Sequence, residues 1–248
     1  MADVRVDGLA AAELAVRLDV PQCVLYDRVA STMDLAHAAA GRDAPAGTII
    51  LAHAQDAGRG RGGRRWTSPH GTGLWMTLIE RPASPAGLDA LSLRLGLRLA
   101  ESLDDLAGER VRLKWPNDLQ LAAGKLGGIL VEARWRDQRV EWVAIGLGLN
   151  VSAPPDVPGA AGLLPGATRT QVLDAILRPM RAAAALDRPL SPDELRRFST
   201  RDTTLGRLVS QPAAGVVAGV GSMGELLVDT TAGRVACRTG SLVFAEDR

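Results

Sequence analysis

The residues with the clearest potential for chemistry form a basic, glycine-rich segment, GRGRGGRRW, at residues 58–66. It holds four glycines, four arginines and one tryptophan. Arginine offers forked N–H donors that match carboxylate and phosphate oxygens. Glycine reaches positive φ and lets the backbone approach a ligand closely. Apolar runs at residues 48–52 and 74–79 flank the segment and predict buried strands. We therefore interpret it as a loop between two strands that holds an anionic ligand.

A lysine, Lys125, begins the otherwise apolar run KLGGILVE at residues 125–132. A lysine at this position could equally be an ordinary surface residue or part of a functional site. Gly127 and Gly128 favour a functional role, because glycines inside a strand indicate that another group approaches the backbone closely.

Several common catalytic motifs are missing from the sequence. It has neither a G-x-x-x-x-G-K-[ST] phosphate loop nor a G-x-S-x-G elbow. Its three histidines and two cysteines do not form a zinc pattern, and we identify no metal ligand directly. The remaining candidates are the positively charged side chains, which would bind an anion, and Trp66, whose ring would stack on a nucleotide base. This combination favours electrostatic phosphoryl or acyl-phosphate chemistry over covalent catalysis.

Composition sets the class of protein. The chain has 248 residues, of which 46% are hydrophobic, and a formal net charge of +1. The arginine segment is therefore a local feature and not part of a generally basic nucleic-acid binder. Two distant cysteines, Cys23 and Cys237, predict a reduced, cytoplasmic protein. We expect no signal peptide and no membrane-spanning segment. Only about twenty residues precede the first predicted strand, too few for an additional helix-turn-helix domain.

Two helices near the arginine segment are predicted. One begins at Ser31 or Thr32 and runs to about residue 40, and a plain N-cap role for these residues is the simplest interpretation. A longer one begins at Ser84-Pro85. We expect its Arg94, Arg98 and Glu101 to form a solvated face. Its leucines define a buried stripe: Leu88, Leu91, Leu95, Leu99, Leu103 and Leu106.

The rest of the chain predicts strands near residues 112–121, 126–132 and 140–150, followed by two helices. Capping boxes are expected at Thr168 with Gln171 and at Ser191 with Glu194. From about residue 206, short β-type runs alternate with glycine turns, a pattern typical of a small barrel or sheet. We place a domain boundary between residues 203 and 204.

Four motifs together resemble those of biotin protein ligases. They are QDAGRGRGGRRW at residues 55–66, KWPND at 114–118, KLGGILVE at 125–132 and GLGLNV at 146–151. The resemblance covers roughly residues 22–245. It implies an α/β fold with a mixed-sheet catalytic domain like that of class II synthetases over residues 1–203. An SH3-like β-barrel would occupy residues 204–248.

The resemblance also implies an activity. Biotin and ATP, with Mg²⁺, would give biotinyl-5′-AMP, and the biotinyl group would pass to a lysine of a biotin carboxyl carrier domain. We expect a biotin carboxyl carrier domain as the protein partner, and we expect binding to neither DNA nor a membrane. The resemblance is compatible with a homodimer. The arginine loop would then be a lid that is mobile when empty and ordered when filled.

Residue roles follow from matching each motif. The catalytic set would be Lys125, Arg61, Asp118 and Lys114. Biotin would contact Ser31, Thr32, Met33, Gln55, Arg59, Gly60, Arg61, Lys125, Gly127 and Gly128. ATP or the adenylate would contact Arg59, Arg61, Arg64, Trp66, Asn117, Lys125 and Asn150.

Two residues depart from the family pattern. Met33 stands where the commonest motif has asparagine, so a hydrogen bond to the ureido group of biotin is lost there. Gly62 stands where many members carry a third arginine, so the loop carries less positive charge.

Three other interpretations compete with this one. Lipoate–protein ligases share the catalytic fold. An RGG-type RNA-binding module would explain the arginine segment alone. A structural protein with an incidental basic loop would leave KWPND without an explanation.

Overall fold

The computed structural model describes residues 4–247, so residues 1–3 and 248 of the two predicted domains lie outside it. The helices are α1 (Ala11–Arg17), α2 (Thr32–Ala40), α3 (Leu88–Ala107), α4 (Arg169–Ala184) and α5 (Pro192–Ser199). The strands of the larger sheet are β1 (Cys23–Val29), β2 (Ile49–Gln55), β3 (Gly73–Glu80), β4 (Arg112–Lys114), β5 (Asp118–Leu121), β6 (Gly124–Arg136) and β7 (Arg139–Asn150). Those of the smaller sheet are β8 (Leu208–Gln211), β9 (Gly215–Val220), β10 (Leu226–Thr230), β11 (Gly233–Cys237) and β12 (Val243–Phe244).

The larger sheet is mixed, which confirms the predicted fold class. Its order is β1-β2-β3-β7-β6-β5-β4. β1 and β2 run parallel, and the other neighbouring pairs are antiparallel. As expected, the arginine segment connects β2 to β3, which are the second and third of the seven strands in this order.

Both faces of this sheet are covered. Ile49 and Leu51 of β2 belong to the main core together with the leucines of α3, whereas Ile50 packs in a smaller core with Met33 of α2. Successive strand residues point to opposite faces. Helix α2 therefore lies on one face, and α3 with α4 lies on the other.

The predicted leucine stripe of α3 is confirmed, but the predicted start of the helix is wrong. The helix begins at Leu88, with Gly87 at its N-cap. Ser84 instead closes a turn before the helix, because its Oγ accepts a hydrogen bond from the Ala86 amide at 3.2 Å. The fully buried members of the stripe are Leu91, Leu95, Leu99 and Leu103.

The expectation that Arg94 belongs to a solvated face is also wrong. Its side chain is 0% exposed. Its Nε donates to Glu194 Oε1 at 2.9 Å, and its Nη2 donates to the carbonyl oxygens of Arg188 and Pro189 at 2.8 and 3.0 Å. Glu194 lies in α5, one hundred positions along the chain. Helical periodicity carries no information about such a distant partner.

The smaller sheet follows the predicted β-type runs. It is antiparallel, with the order β11-β10-β9-β8-β12. Among residues 204–247, the strand pairings end at β11 and β12, so the sheet is observed while closure into an SH3-like barrel stays a prediction. Both predicted capping boxes are present, at Thr168 in α4 and at Ser191 in α5.

The smaller sheet packs directly against the strands that carry the KWPND motif. The indole Nε1 of the buried Trp115 donates to the Gly224 carbonyl at 3.0 Å. The Leu190 amide donates to the Ser222 carbonyl at 2.8 Å. Within residues 4–247, no helix is long and apolar enough to cross a lipid bilayer.

Candidate active site

A cavity lies where the arginine loop folds back over the middle of the larger sheet. Its enclosed volume is about 140 Å³, and it opens to solvent through a wide mouth. It is lined by Ser31, Thr32, Met33, Gln55, Arg59, Gly60, Arg61, Arg64, Arg65, Trp66, Met76, Thr77, Asn117, Asp118, Lys125, Gly128, Ile129, Leu130, Gly146, Leu147 and Gly148.

One end of the cavity is polar and uncharged. The last residue of β2, Gln55, accepts hydrogen bonds from the Thr32 amide at 2.8 Å and from Thr32 Oγ1 at 3.1 Å. Thr77 of β3 donates to Thr32 Oγ1 at 2.9 Å. Ser31 occupies the N-cap position of α2, but its side chain makes no capping bond, and its buried Oγ has no hydrogen-bond partner. An unpaired buried hydroxyl is costly, which favours a ligand at this point.

Met33 provides an apolar wall beside this polar end. Its side chain is 3% exposed and packs against β7 at Gly146. A Cβ at Gly146 would stand 2.7 Å from Met33 Cε, so the glycine makes room for the methionine.

The arginine loop is a small hydrogen-bonded hairpin. Arg59 and Arg65 form an isolated antiparallel bridge, and the Trp66 amide donates to the Gly58 carbonyl at 2.8 Å. The tip at Gly62 has φ +63° with no atom near the place of a Cβ. An arginine would fit there sterically but would carry backbone strain of about 1–2 kcal/mol. The turn at the tip therefore favours glycine at this position.

The other end of the cavity is cationic. Burial lowers the pKa of the Arg61 guanidinium, and the charge of Arg64 lowers it further, while Asp118 has the opposite effect. Lys125 Nζ forms an ion pair with Asp118 Oδ1 at 2.7 Å. Converging cations that are partly desolvated are poised to bind an anion.

Trp66 lies between these two ends, on a floor of glycines. A Cβ at Gly148 would overlap its indole, and one at Gly128 would stand 3.3 Å from its Cζ3. Gly128 and Gly148 are register partners in β6 and β7. The Lys125 ammonium lies 5.0 Å from the centroid of the indole ring. The buried indole Nε1 has no hydrogen-bond partner. It is a second buried polar atom without a partner among the residues that line the cavity.

Comparison with known proteins decides the family. The model of the biotin/lipoate A/B protein ligase family matches residues 25–150. The biotin–[acetyl-CoA-carboxylase] ligase of Mycobacterium tuberculosis is 31% identical over 228 residues, which cover 84% of this chain and 83% of that protein. The chain belongs to the biotin/lipoate A/B protein ligase family.

Two further matches define how far this family relationship extends. The bifunctional ligase/repressor BirA of Bacillus subtilis is 39% identical over 134 residues, or 54% of this chain and 41% of that relative. The match thus spans less than half of that relative's length. The biotin protein ligase of Aquifex aeolicus, solved with biotin and ATP, has a TM-score of 0.72 at 24% identity, covering 91% of this chain and all of that one. This likeness establishes the fold.

Most residues predicted from the family motifs line the cavity, but three do not. Lys114 Nζ instead stands 4.9 Å from the centre of the Phe244 ring in the smaller sheet. Gly127 faces away from the cavity, because a Cβ there would meet the Gly148 carbonyl at 2.8 Å and the Leu149 side chain.

The third is Asn150, which supports the site from behind. Its Nδ2 donates to the carbonyls of Lys125 and Ala161 at 3.2 and 3.0 Å. Asn117 does line the cavity, yet its Nδ2 is bound to the Ile129 carbonyl at 2.7 Å. Both asparagines therefore position backbone that belongs to this family's motifs.

Sequence reasoning missed Thr77, Gly146 and Gly148 as site residues. The glycines stand two positions apart on one strand, so they present the same face. That spacing was visible in the sequence. Thr77 carried no signal, because its role is a hydrogen bond to Thr32, forty-five positions away along the chain.

Proposed function

We propose that this chain is an ATP-dependent ligase that activates biotin as biotinyl-5′-AMP and transfers the biotinyl group to a lysine of a biotin carboxyl carrier domain. One observation carries the proposal. A single cavity joins an uncharged polar end, with the free Ser31 hydroxyl, to a cationic end at Lys125, Arg61 and Arg64. Such a cavity suits a ligand with a neutral polar head and an anionic tail. The likeness to the mycobacterial ligase supports biotin as that ligand.

The ureido head of biotin would bind at the polar end. A buried urea needs paired hydrogen bonds, since its desolvation is otherwise costly. Ser31 Oγ is free to make one, whereas Thr32 and Gln55 already bind each other and hold the start of α2. Met33 supplies an apolar contact only. The backbone at Arg59 and Gly60 closes this end.

The first reaction would take place at the cationic end. A biotin carboxylate oxygen attacks the α-phosphorus of ATP, the new O–P bond forms, and the bond to pyrophosphate breaks. Lys125 and Arg61 would neutralise the two anions that must approach each other. Arg64 would hold the leaving pyrophosphate, and Trp66 would pack on the adenine. Asn117 and Asn150 would hold the backbone around this adenylate.

The second reaction would use Asp118. The amine nitrogen of the acceptor lysine attacks the carbonyl carbon of the anhydride, and AMP leaves. A free lysine amine has a pKa of about 10.4 and is mostly protonated at neutral pH. The Asp118 carboxylate, 2.7 Å from Lys125 Nζ, would orient the incoming ammonium and accept its proton.

ATP would arrive as its Mg²⁺ complex. In the part of the chain that the structure describes, no group of three or more histidine, cysteine, aspartate or glutamate residues could hold a metal ion. Mg²⁺ usually binds substrate phosphates with one or two carboxylates and several waters. Asp118 is the acidic residue among the described residues that line the cavity, and it could supply one such carboxylate to Mg²⁺.

The proposal extends to the surroundings of the enzyme. Cys23 and Cys237 are free thiols, which suits the reducing cytoplasm that we propose. We propose residues 1–203 and 204–248 as the two domains. The protein partner would be a carrier domain, and we propose neither a DNA nor a membrane partner. The proposal is compatible with a monomer or a homodimer.

Ligand-dependent melting tests this function. At a hundred times its dissociation constant, a ligand adds about 2.7 kcal/mol of stability. For a chain of this size that corresponds to a rise of roughly 5–10 °C. We expect biotin with Mg-ATP to produce this rise, and lipoate or RNA to produce none. Stabilisation by lipoate or RNA without stabilisation by biotin would contradict the proposal.

A further inference from the structure

The guanidinium of Arg59 is already paired with two carboxylates of the protein, whereas that of Arg64 donates through Nε to the Arg61 carbonyl oxygen at 3.2 Å. Its Nη1 donates to Asp34 Oδ1 at 2.7 Å, and its Nη2 donates to Glu132 Oε1 at 2.6 Å. The two carboxylates neutralise it from two separate elements, α2 and β6. A planar guanidinium suits such a bridge, because its fork presents N–H donors in two directions.

The second oxygen of Glu132 is held by a further pair of rings. Glu132 Oε2 lies 2.9 Å from His37 Nε2, and the indole of Trp142 donates to His37 Nδ1 at 2.9 Å. An indole nitrogen only donates, so Nδ1 of the neutral imidazole accepts and its proton lies on Nε2. The ring then donates to Glu132 and fixes the orientation of that carboxylate towards Arg59.

Arg59 sits at the base of the arginine loop, where its backbone bridges Arg65 below the tip at Arg61–Gly63. Fixing its side chain therefore fixes where the loop leaves the sheet and how it covers the cavity. The side chains of Arg59 and Glu132 are 40% and 27% exposed. Exposed ion pairs of this kind are modest in strength, so the anchor holds the loop in place and still allows it to open.

We propose that Asp34, Glu132 and His37 are positioning residues that anchor the arginine loop over the cavity through Arg59. The consequence for the reaction rests on the proposed function. The anchor sets how long the reactive adenylate is retained, while Lys125, Arg61 and Arg64 stabilise the reacting anions. Arg59, which the family motif assigns to ligand binding, thus acts on the loop.

The rate of tryptic cleavage measures how readily the loop opens, because trypsin cleaves after the arginines of the loop. The variants are Asp34→Asn, Glu132→Gln, His37→Phe and Arg59→Lys, the last of which keeps a cleavage site but loses the fork. We expect each to raise the rate of tryptic cleavage in the loop of the ligand-free protein by about threefold to fivefold. The melting temperature should stay nearly unchanged in the three variants of the exposed ion pairs, whereas His37→Phe should lower it, because the buried Trp142 indole loses its acceptor.

Glu141→Gln is the matched control. It removes one carboxylate from the same sheet, where Glu141 pairs with Arg136 at 2.8 Å, and it should leave loop cleavage unaltered. The double variant Arg59→Gln with Glu132→Gln should equal Arg59→Gln alone, because Arg59→Gln already removes both ion pairs through which Asp34 and Glu132 act. Effects that multiply would mean that Glu132 acts by another route, and unchanged cleavage in the single variants would overturn the anchor.

The second measurement is the leak of activated biotin, followed as its capture by hydroxylamine in the presence of biotin and Mg-ATP. We expect Asp34→Asn, Glu132→Gln and His37→Phe to increase capture per pyrophosphate released by about threefold, with the rate of pyrophosphate release nearly unchanged. Faster loop cleavage without faster capture would refute the retention role. If the unaltered protein forms no adenylate at all, the proposed function fails, while the cleavage rates still decide whether the anchor exists.

Discussion

At the scale of single residues, the site depends on what the glycines of β6 and β7 leave room for. Paired glycines inside a strand indicate a close approach, and the sequence supported that inference for Gly128. The approaching group is the Trp66 indole, which lies on Gly128 and Gly148. Sequence alone could not identify it, because the contact depends on the register that pairs Gly128 with Gly148.

Lys125 and Lys114 offer a matched test of two residues that the family motifs treat alike. We expect Lys125→Ala to reduce biotin-dependent pyrophosphate release by about 10²–10³-fold, because it removes a charge aimed at the reacting anions. Lys114→Ala should leave that rate within a few-fold, because Nζ lies against Phe244 and outside the cavity. An equal loss in both variants would make Lys114 a phosphate ligand, and a near-normal rate for Lys125→Ala would exclude the role given to Lys125.

Gly148→Ala tests the glycine floor. The added methyl group overlaps the Trp66 indole, so the ring must move. Displacing a positioning group by about 1 Å can cost roughly 10²-fold in rate, and we expect a fall of that order in kcat/KM for ATP. Gly96→Ala in α3 is the control, since its Cβ would stand 3.4 Å from Leu113 Cδ2 and should be tolerated. A normal KM and kcat for Gly148→Ala would show that Trp66 is not part of the ATP site.

At the scale of elements, periodicity predicted the helices well and their polar contacts poorly. The leucines of α3 mark its buried side, and that side was evident from their spacing. Arg94 is equally buried, yet its environment is created by Glu194 of α5. The capping box that placed Glu194 at the start of α5 was predicted, whereas the docking of that helix start on Arg94 was not. Local sequence patterns thus predicted the individual helices, whereas their packing against one another depends on contacts between residues that are far apart in the sequence.

The Arg94–Glu194 pair predicts how stability depends on pH. Burial alone would raise the pKa of Glu194, but hydrogen bonds from the Ser191 amide, Arg188 and Arg94 lower it to about 2 from an ordinary 4.5. A carboxyl with a lowered pKa stabilises the fold above the unfolded value and loses that contribution as the pH falls. We expect about 3 kcal/mol to be lost between pH 4.5 and 2.

Acid unfolding of Glu194→Gln measures that contribution. The variant should be less stable at pH 7 by about 3–5 kcal/mol, because Arg94 is left buried without its charge partner. Its stability should also fall less steeply than that of the unaltered protein between pH 4.5 and 2. Parallel stability curves for the two proteins would contradict the assignment of the titration to Glu194.

At the scale of the whole molecule, the smaller sheet rests on the strands that carry the KWPND motif. Trp115 and Gly224 join the two sheets through a buried hydrogen bond, and Lys114 reaches across to Phe244. The sequence predicted both sheets and the change of texture near residue 206. It did not predict this junction, because the residues that form it lie more than a hundred positions apart. The arginine loop, the glycine floor and the junction all depend on strand register, which only the folded chain reveals.

The central claim is that this chain moves biotin onto a carrier lysine. Mass spectrometry of a biotin carboxyl carrier domain, incubated with the protein, biotin and Mg-ATP, tests it most directly. We predict a mass increase of one biotinyl group on a single lysine, dependent on ATP and slowed by about 10²–10³-fold with Lys125→Ala. An unmodified carrier domain, or a lipoyl domain modified instead when lipoate is supplied, would contradict the account.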